Sequence, residues 1–128
     1  MRLPIIFAQA YMLATSKSVP VDRIFRALSD RTRLRILNLL KGGEMCVCDL
    51  VDILEVPQPT ASRHLSYLRK AGLVTARKAG HWNYYRLATN RRPFFERLRA
   101  CLGVCCQEYP QLAKDGERLQ GKGKSVCE

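Results

Sequence analysis

The apolar positions of this chain change period several times, and each change marks an element. Val21, Ile24, Phe25 and Leu28 stand at i, i+3, i+4 and i+7, the spacing of one helix face. A second run, Leu34, Ile36, Leu37 and Leu40, follows Ser29 and Asp30, either of which suits an N-cap. Gly42-Gly43 ends it. Val47, Leu50, Val51 and Leu54 repeat the first spacing in a third, shorter helix. After Glu55-Val56-Pro57-Gln58-Pro59 the pattern resumes with Leu65 and Leu68, runs to about Ala71 and stops at Gly72. Pro59 fits the first turn of that fourth helix, where its missing N–H costs nothing. Two helices joined by so short a turn have helix-turn-helix spacing.

Residues 73–77 and 81–87 then take on strand composition, with Lys78-Ala79-Gly80 as the turn between them. A hairpin directly after a helix-turn-helix predicts a winged helix-turn-helix, mainly α with a small β-hairpin. The alternating Trp82, Tyr84 and Tyr85 read as hairpin packing rather than as base-stacking groups. Residues 90–93 break the chain again. A last long helix starts near Phe94 and carries Phe94, Leu98, Cys101 and Cys105 on one face. The first and last helices are the expected dimer interface. Residues 1–18 read as an N-terminal arm, 19–108 as the DNA-binding and dimerisation domain, and 109–128 as a polar, flexible tail. Leu3 to Ala14 faintly resembles a secretory signal, but Pro4, Gln9 and Tyr11 interrupt it. The expected location is cytoplasmic. No apolar run reaches transmembrane length, so no membrane partner is expected.

Composition narrows the picture. The 128 residues suit one domain, and 47% hydrophobic content is enough for one core. Lys and Arg number 22 against 11 Asp and Glu, for a formal charge of +11. Such an excess suits an anionic partner. Residues 57–90 carry Arg63, Arg69, Lys70, Arg77, Lys78 and Arg86 and no acidic residue. The positive field therefore lies on the fourth helix and the wing, as double-stranded DNA requires. Base reading needs short polar or bidentate side chains near the start of the reader helix, where Gln58, Thr60, Ser62, Arg63 and His64 stand. Arg77, Lys78 and His81 of the wing are expected to meet flanking phosphates or the minor groove.

The thiols are the remaining chemistry. Cys46 and Cys48 flank Val47 at the start of the third helix, where the helix dipole favours a thiolate. Thiolates select soft ions. On an intact helix the two would point to nearly opposite sides, so a shared ion implies an unwound first turn. Packing as small apolar groups is the plainer role for both. Cys101 and Cys105 lie one turn apart on the last helix with Cys106 beside them, and they continue its apolar stripe. Both histidines, His64 and His81, fall in the DNA surface, so zinc, which commonly recruits His, is less expected than a thiophilic ion. A thiol enzyme is disfavoured, for there is no Cys-x-x-Cys after a strand and no anion-cradling Gly loop.

These motifs together resemble the ArsR/SmtB family. They comprise Phe25-x-x-Leu28-Ser29-Asp30-x-Thr32-Arg33-Leu34-x-Ile36-Leu37, Glu44-Met45-Cys46-Val47-Cys48-Asp49-Leu50, Gln58-Pro59-Thr60-x-Ser62-Arg63-His64-Leu65, Gly72-Leu73-Val74 and Trp82-x-Tyr84-Tyr85-Arg86-Leu87. The resemblance spans roughly residues 21–88. It implies a homodimeric winged-helix repressor that binds operator DNA and is released by a metal or metalloid. The Cys46-Val47-Cys48-Asp49-Leu50 stretch is similar to the arsenic-responsive branch, in which thiolates, typically three, hold As(III) or Sb(III). No organic cofactor is implied. In that branch a third Cys stands three residues after the second; here the position is Val51. The resemblance leaves Cys101, Cys105, Cys106, Cys127 or a small thiol as the third ligand, and a separate site at Cys105-Cys106 stays open. A thiol redox sensor, or a sensor of Cd(II), Hg(II) or zinc, is the alternative.

Overall fold

The computed structural model describes residues 19–122, apart from the Cys106 side chain. The N-terminal arm and Cys127 lie outside the described residues. Six helices and three strands follow one another among them: α1 (Val21–Leu28), α2 (Arg31–Leu40), β1 (Met45–Cys46), α3 (Val47–Leu54), α4 (Gln58–Lys70), β2 (Val74–Ala79), β3 (Trp82–Leu87), α5 (Pro93–Glu108) and α6 (Pro110–Lys122).

The apolar stripes read from the sequence meet in one core. Ile24 of α1, Ile36 and Leu37 of α2, Leu50 and Ile53 of α3, and Leu65 and Leu68 of α4 are all essentially inaccessible. Asp30 is the N-cap of α2, its carboxylate accepting from Arg33 N at 3.0 Å. Helix α3 ends at Glu55, which adopts a left-handed conformation at φ 57°, a place where Gly is usual. That residue starts the turn into α4, so the motif forms the helix-turn-helix expected from its spacing.

The wing is a sheet of order β1-β3-β2 with both pairings antiparallel. Strand β1 was not foreseen from the sequence, because two residues are too few to show alternation. It sets Met45 against Tyr85 and Cys46 against Tyr84. Ala79 pairs with Trp82, so the turn is Gly80-His81, with Gly80 at φ 61°. A first central residue at positive φ is the reason Gly stands there.

The chain after Pro110 departs from the expected tail. It forms α6, which packs on α2, α3 and α5. Leu112 and Asp115 are buried and Leu119 packs on the core, three positions at helical spacing. The stripe is hidden in the sequence because its middle member is an acid. Arg35 Nε and Nη2 donate to the two carboxylate oxygens of Asp115 at 2.7 and 2.9 Å, and Gln111 donates to the same group. Asn38 donates to the Leu112 carbonyl at 3.1 Å. Hydrogen bonding to Asp115 raises the pKa of Arg35, against the opposing effect of burial.

Asp115→Ala leaves the Arg35 guanidinium without its carboxylate partner. The expected loss is about 3 kcal/mol of unfolding free energy, as for removal of one partner of a buried pair. Urea unfolding measures it, and a loss well under about 1 kcal/mol would show that α6 is not held through this carboxylate.

Candidate nucleic-acid interface and thiol site

The outward face of α4 follows from its burial pattern. Ala61, Leu65 and Leu68 turn into the core, which leaves Arg63, Tyr67 and Lys70 on the opposite side at i, i+4 and i+7. Gln58, Ser62 and Arg63 are exposed at the start of the helix, and Thr60 is half-buried there. These four of the five expected base-reading residues share the open N-terminal half of α4.

His64 is placed differently. It is half-buried between α4 and α2, with Arg33 Nη1 donating to its Nδ1 at 3.2 Å and the Asp30 carboxylate 3.8 Å away. Because an arginine can only donate, the ring proton sits on Nε2. Burial lowers the His64 pKa. Asp30 opposes that, and the charges of Arg33 and Arg63 add to it. The Arg33 guanidinium also donates to Ala27 O at 2.7 Å and Arg26 O at 3.1 Å, and it lies 4.2 Å from the Tyr67 ring centre. Arg33 thus ties the last carbonyls of α1 to the middle of α4, a role its place in the sequence motif did not reveal.

On the wing, Lys78 and His81 are exposed beside the Gly80 turn. Arg77 is exposed too, but Glu44 holds it in a bidentate pair at 2.7 and 2.9 Å, and its guanidinium lies 4.5 Å from the Tyr84 ring centre. The Arg77 hydrogen bonds lower the Glu44 pKa. Glu44 immediately precedes β1 and Arg77 lies in β2, so this pair reaches across Tyr84 of β3 and ties the two outer strands together. Tyr84 and Tyr85 pack against the core as expected, whereas Trp82 is 40% exposed.

Cys46 is at once the last residue of β1 and the N-cap of α3. Its backbone is extended, at φ −70° and ψ 145°, and its Sγ accepts from Cys48 N at 3.4 Å. The two thiols are therefore not both on a helix, and the opposed directions expected for i and i+2 do not apply. Cys46 is 1% exposed and disulfide-bonded. Cys48 is half-buried. On α5, Cys101 is exposed, and half-buried Cys105 donates to the Cys101 carbonyl at 3.4 Å. Cys105 packs against the core cluster that contains Cys46. Among the described residues no three His, Cys, Asp or Glu side chains converge as a metal-binding group. Two sulfur atoms at one helix start suit a thiophilic ion in part, once Cys46 is reduced.

Residues 30–76 match the family model described as the bacterial regulatory protein, arsR family. The arsenical resistance operon repressor of Escherichia coli is 39% identical over 111 residues, covering 82% of this chain and 93% of that protein. The chain belongs to the ArsR family. An arsenic resistance transcriptional regulator of Pseudomonas putida is 49% identical over 79% of this chain and 78% of its own. Among solved structures, the homodimeric winged helix-turn-helix DNA-binding domain of a possible ArsR-family regulator from Mycobacterium bovis superposes with a TM-score of 0.59 at 34% identity, covering 80% of this chain and 88% of that one. Reduced HlyU from Vibrio cholerae gives 0.59 at 28% identity, over 79% and 97% of the two chains. This ArsR-family chain is a DNA-binding transcriptional repressor and not an enzyme. None of its described helices is long and apolar enough to cross a membrane.

The lowered His64 pKa has a signed consequence. Between the folded value and the ordinary 6.5, the unfolded ring binds a proton that the folded ring refuses. Stability is then fully present above 6.5 and declines as pH falls below it. Urea unfolding between roughly pH 5 and pH 8 is expected to show this fall, and His64→Gln to flatten it. An unchanged slope in the variant would place the proton uptake elsewhere.

Proposed function

We propose that this chain is a metalloid-responsive repressor: a homodimer that holds operator DNA and leaves it when As(III) or Sb(III) joins the thiolates of Cys46 and Cys48. The observation that carries the reading is the double membership of Cys46. A ligand that draws this residue out of its extended cap position disturbs strand β1, paired with the wing, and helix α3, the first half of the helix-turn-helix, in one move. Coupling of about 1 to 3 kcal/mol is enough to change DNA affinity 5- to 150-fold. The names of the Escherichia coli and Pseudomonas putida relatives point to arsenic as the inducer.

The third thiolate comes from Cys101, Cys105 or Cys106 of α5. The packing of Cys105 on the cluster that holds Cys46 supports a contribution from that helix. Gln58, Thr60, Ser62 and Arg63 read base edges, and Lys78 and His81 meet the flanking backbone. His64 orients α4 through Arg33. Arg77 reaches DNA only by exchanging Glu44 for a phosphate. The homodimer forms through α1 and α5, which expose Val21, Phe25 and Val104 and meet in the edge-to-face Phe25–Phe94 contact. Two such readers sit about ten base pairs apart on a palindromic site. The reducing cytoplasm is the compartment in which these thiols would meet a metalloid.

A second reading rests on the disulfide at Cys46. In a redox sensor, oxidation rather than a metalloid would release the DNA. Fluorescence anisotropy on promoter DNA from upstream of the protein's own gene separates the two. Release of the reduced protein by As(III), with peroxide and Zn(II) without effect, is expected. Cys46→Ser is expected to bind DNA normally and to lose that response. Release by peroxide alone would favour the redox reading, and normal As(III) release of Cys46→Ser would overturn the ligand assignment.

A further inference from the structure

The outward face of α4 does not end at the base-reading residues. Past Arg63 it continues through Tyr67 to Lys70, and there it meets α1. Asp22, Arg23, Arg26, Tyr67 and Lys70 line a cleft of about 470 Å³ between the two helices. Tyr67 is 39% exposed on its floor. Behind the ring stands Arg33, whose guanidinium lies 4.2 Å from the ring centre and is fixed by the carbonyls of Arg26 and Ala27. Those bonds hold α1 and α4 at a set separation, so the cleft is a built feature and not a gap between loosely associated helices.

The charge in it is only partly offset. Elsewhere Arg35, Arg77, Arg99, Arg118 and Lys122 each pair with a carboxylate. Among the described residues, Arg23, Arg26 and Lys70 form no such pair. Three cations face one acid, Asp22, with the Arg33 charge held behind them. The combination of two forked donors, an ammonium group and a phenol suits a phosphodiester better than a base edge.

We infer that the DNA-binding surface extends from α4 onto α1, and that Arg23, Arg26 and Lys70 grip the DNA backbone outside the base-reading segment. This rests on the reading of α4 as the DNA reader and adds to it an anchor that carries no sequence information. Helix α1 then serves two purposes. One side presents Phe25 toward the dimer interface, and the other fixes the register of the reader helix on the duplex.

Phosphate contacts and base contacts leave different marks. Each phosphate neutralised contributes about 0.9 to the slope of log K against log salt. Full-length protein is titrated by anisotropy onto the promoter duplex and onto an unrelated duplex of equal length, across a salt series. The variant Arg23→Ala/Arg26→Ala is expected to lower the slope by about 1 to 2, equally on both duplexes, with affinity falling roughly fivefold per lost contact near 0.15 M salt. Asp22→Asn, which keeps the fold and removes the opposing charge, is expected to tighten binding to both. Arg63→Ala is expected instead to reduce the preference for the promoter duplex. An unchanged slope in the double variant, or no tightening by Asp22→Asn, while Arg63→Ala still loses promoter preference, would overturn the α1 anchor alone. A flat salt response of the unmodified protein, with Arg63→Ala silent as well, would overturn the anchor and the α4 reading together.

Discussion

One residue belongs to two hydrogen-bonded systems, and the joint between the wing and the helix-turn-helix depends on it. Cys46 pairs with Tyr84 in the wing sheet and caps the first turn of α3 through its sulfur. A strand residue wants extended backbone, and so does an N-cap. The conformation at Cys46, φ −70° and ψ 145°, satisfies both. The wing and the helix-turn-helix therefore share a corner without strain. The cap is made by sulfur, a weak acceptor, where Ser or Asp would bind the same N–H more firmly. A side chain chosen for capping alone would not be Cys. The Cys46 side chain also packs in the hydrophobic core, where a charged Asp would be costly.

The distribution of carboxylates decides where the +11 charge acts. Asp115 holds Arg35, Asp52 and Asp49 face Lys122, Glu55 faces Arg118, and Glu44 holds Arg77. These pairs dock α6 and brace the wing, and they cancel much of the positive charge on that side. The cations that stay unmatched include those on the face of α4, those on α1 and Lys78 at the tip of the wing. The exposed pairs among them, Glu44–Arg77 and Glu55–Arg118, contribute little stability each. Their larger effect is to shape the field, leaving one positive surface on which a duplex can settle.

Much of this was legible from spacing. Every helix through Lys70 announced itself by apolar period and by its stops, since Gly, Pro and the N-cap residues act locally. The exposed position of Gln58, Ser62 and Arg63 followed from their place at the start of α4. What escaped were features made by long-range pairing. Two residues of β1 have no period of their own. The stripe of α6 contains a buried Asp115 whose partner lies 80 positions away in the chain. His64 has the composition of a base reader, and only the approach of Arg33 turns it inward. The wing aromatics alternate as packing residues should, yet the sheet covers Tyr84 and Tyr85 and leaves Trp82 at its end. The partner of each sulfur is likewise a matter of three-dimensional proximity, on which spacing is silent.

Helix α3 is held unequally at its two ends, and this indicates which part can move. At its C-terminus Arg118 donates to the carbonyls of Asp52 and Ile53 and pairs with Glu55 at 3.0 Å. Those carbonyls lack intrahelical partners, and a cation is the favoured group at that pole of the dipole. Lys122 adds an ion pair to Asp52, whose pKa it lowers, and approaches Asp49 at 3.6 Å. At the N-terminus the Cys48 N–H donates to the Cys46 sulfur at 3.4 Å. A net hydrogen bond is worth about 1 kcal/mol, and one to sulfur less, so the cap by itself adds little to holding the first turn. A force applied at Cys46 and Cys48 would act on that turn first, against the Lys122–Asp49 contact that ties it to α6. The change would pass along β1 into the wing and leave the core packing of Leu50 and Ile53 in place. A repressor built this way can lose its grip on DNA without losing its fold.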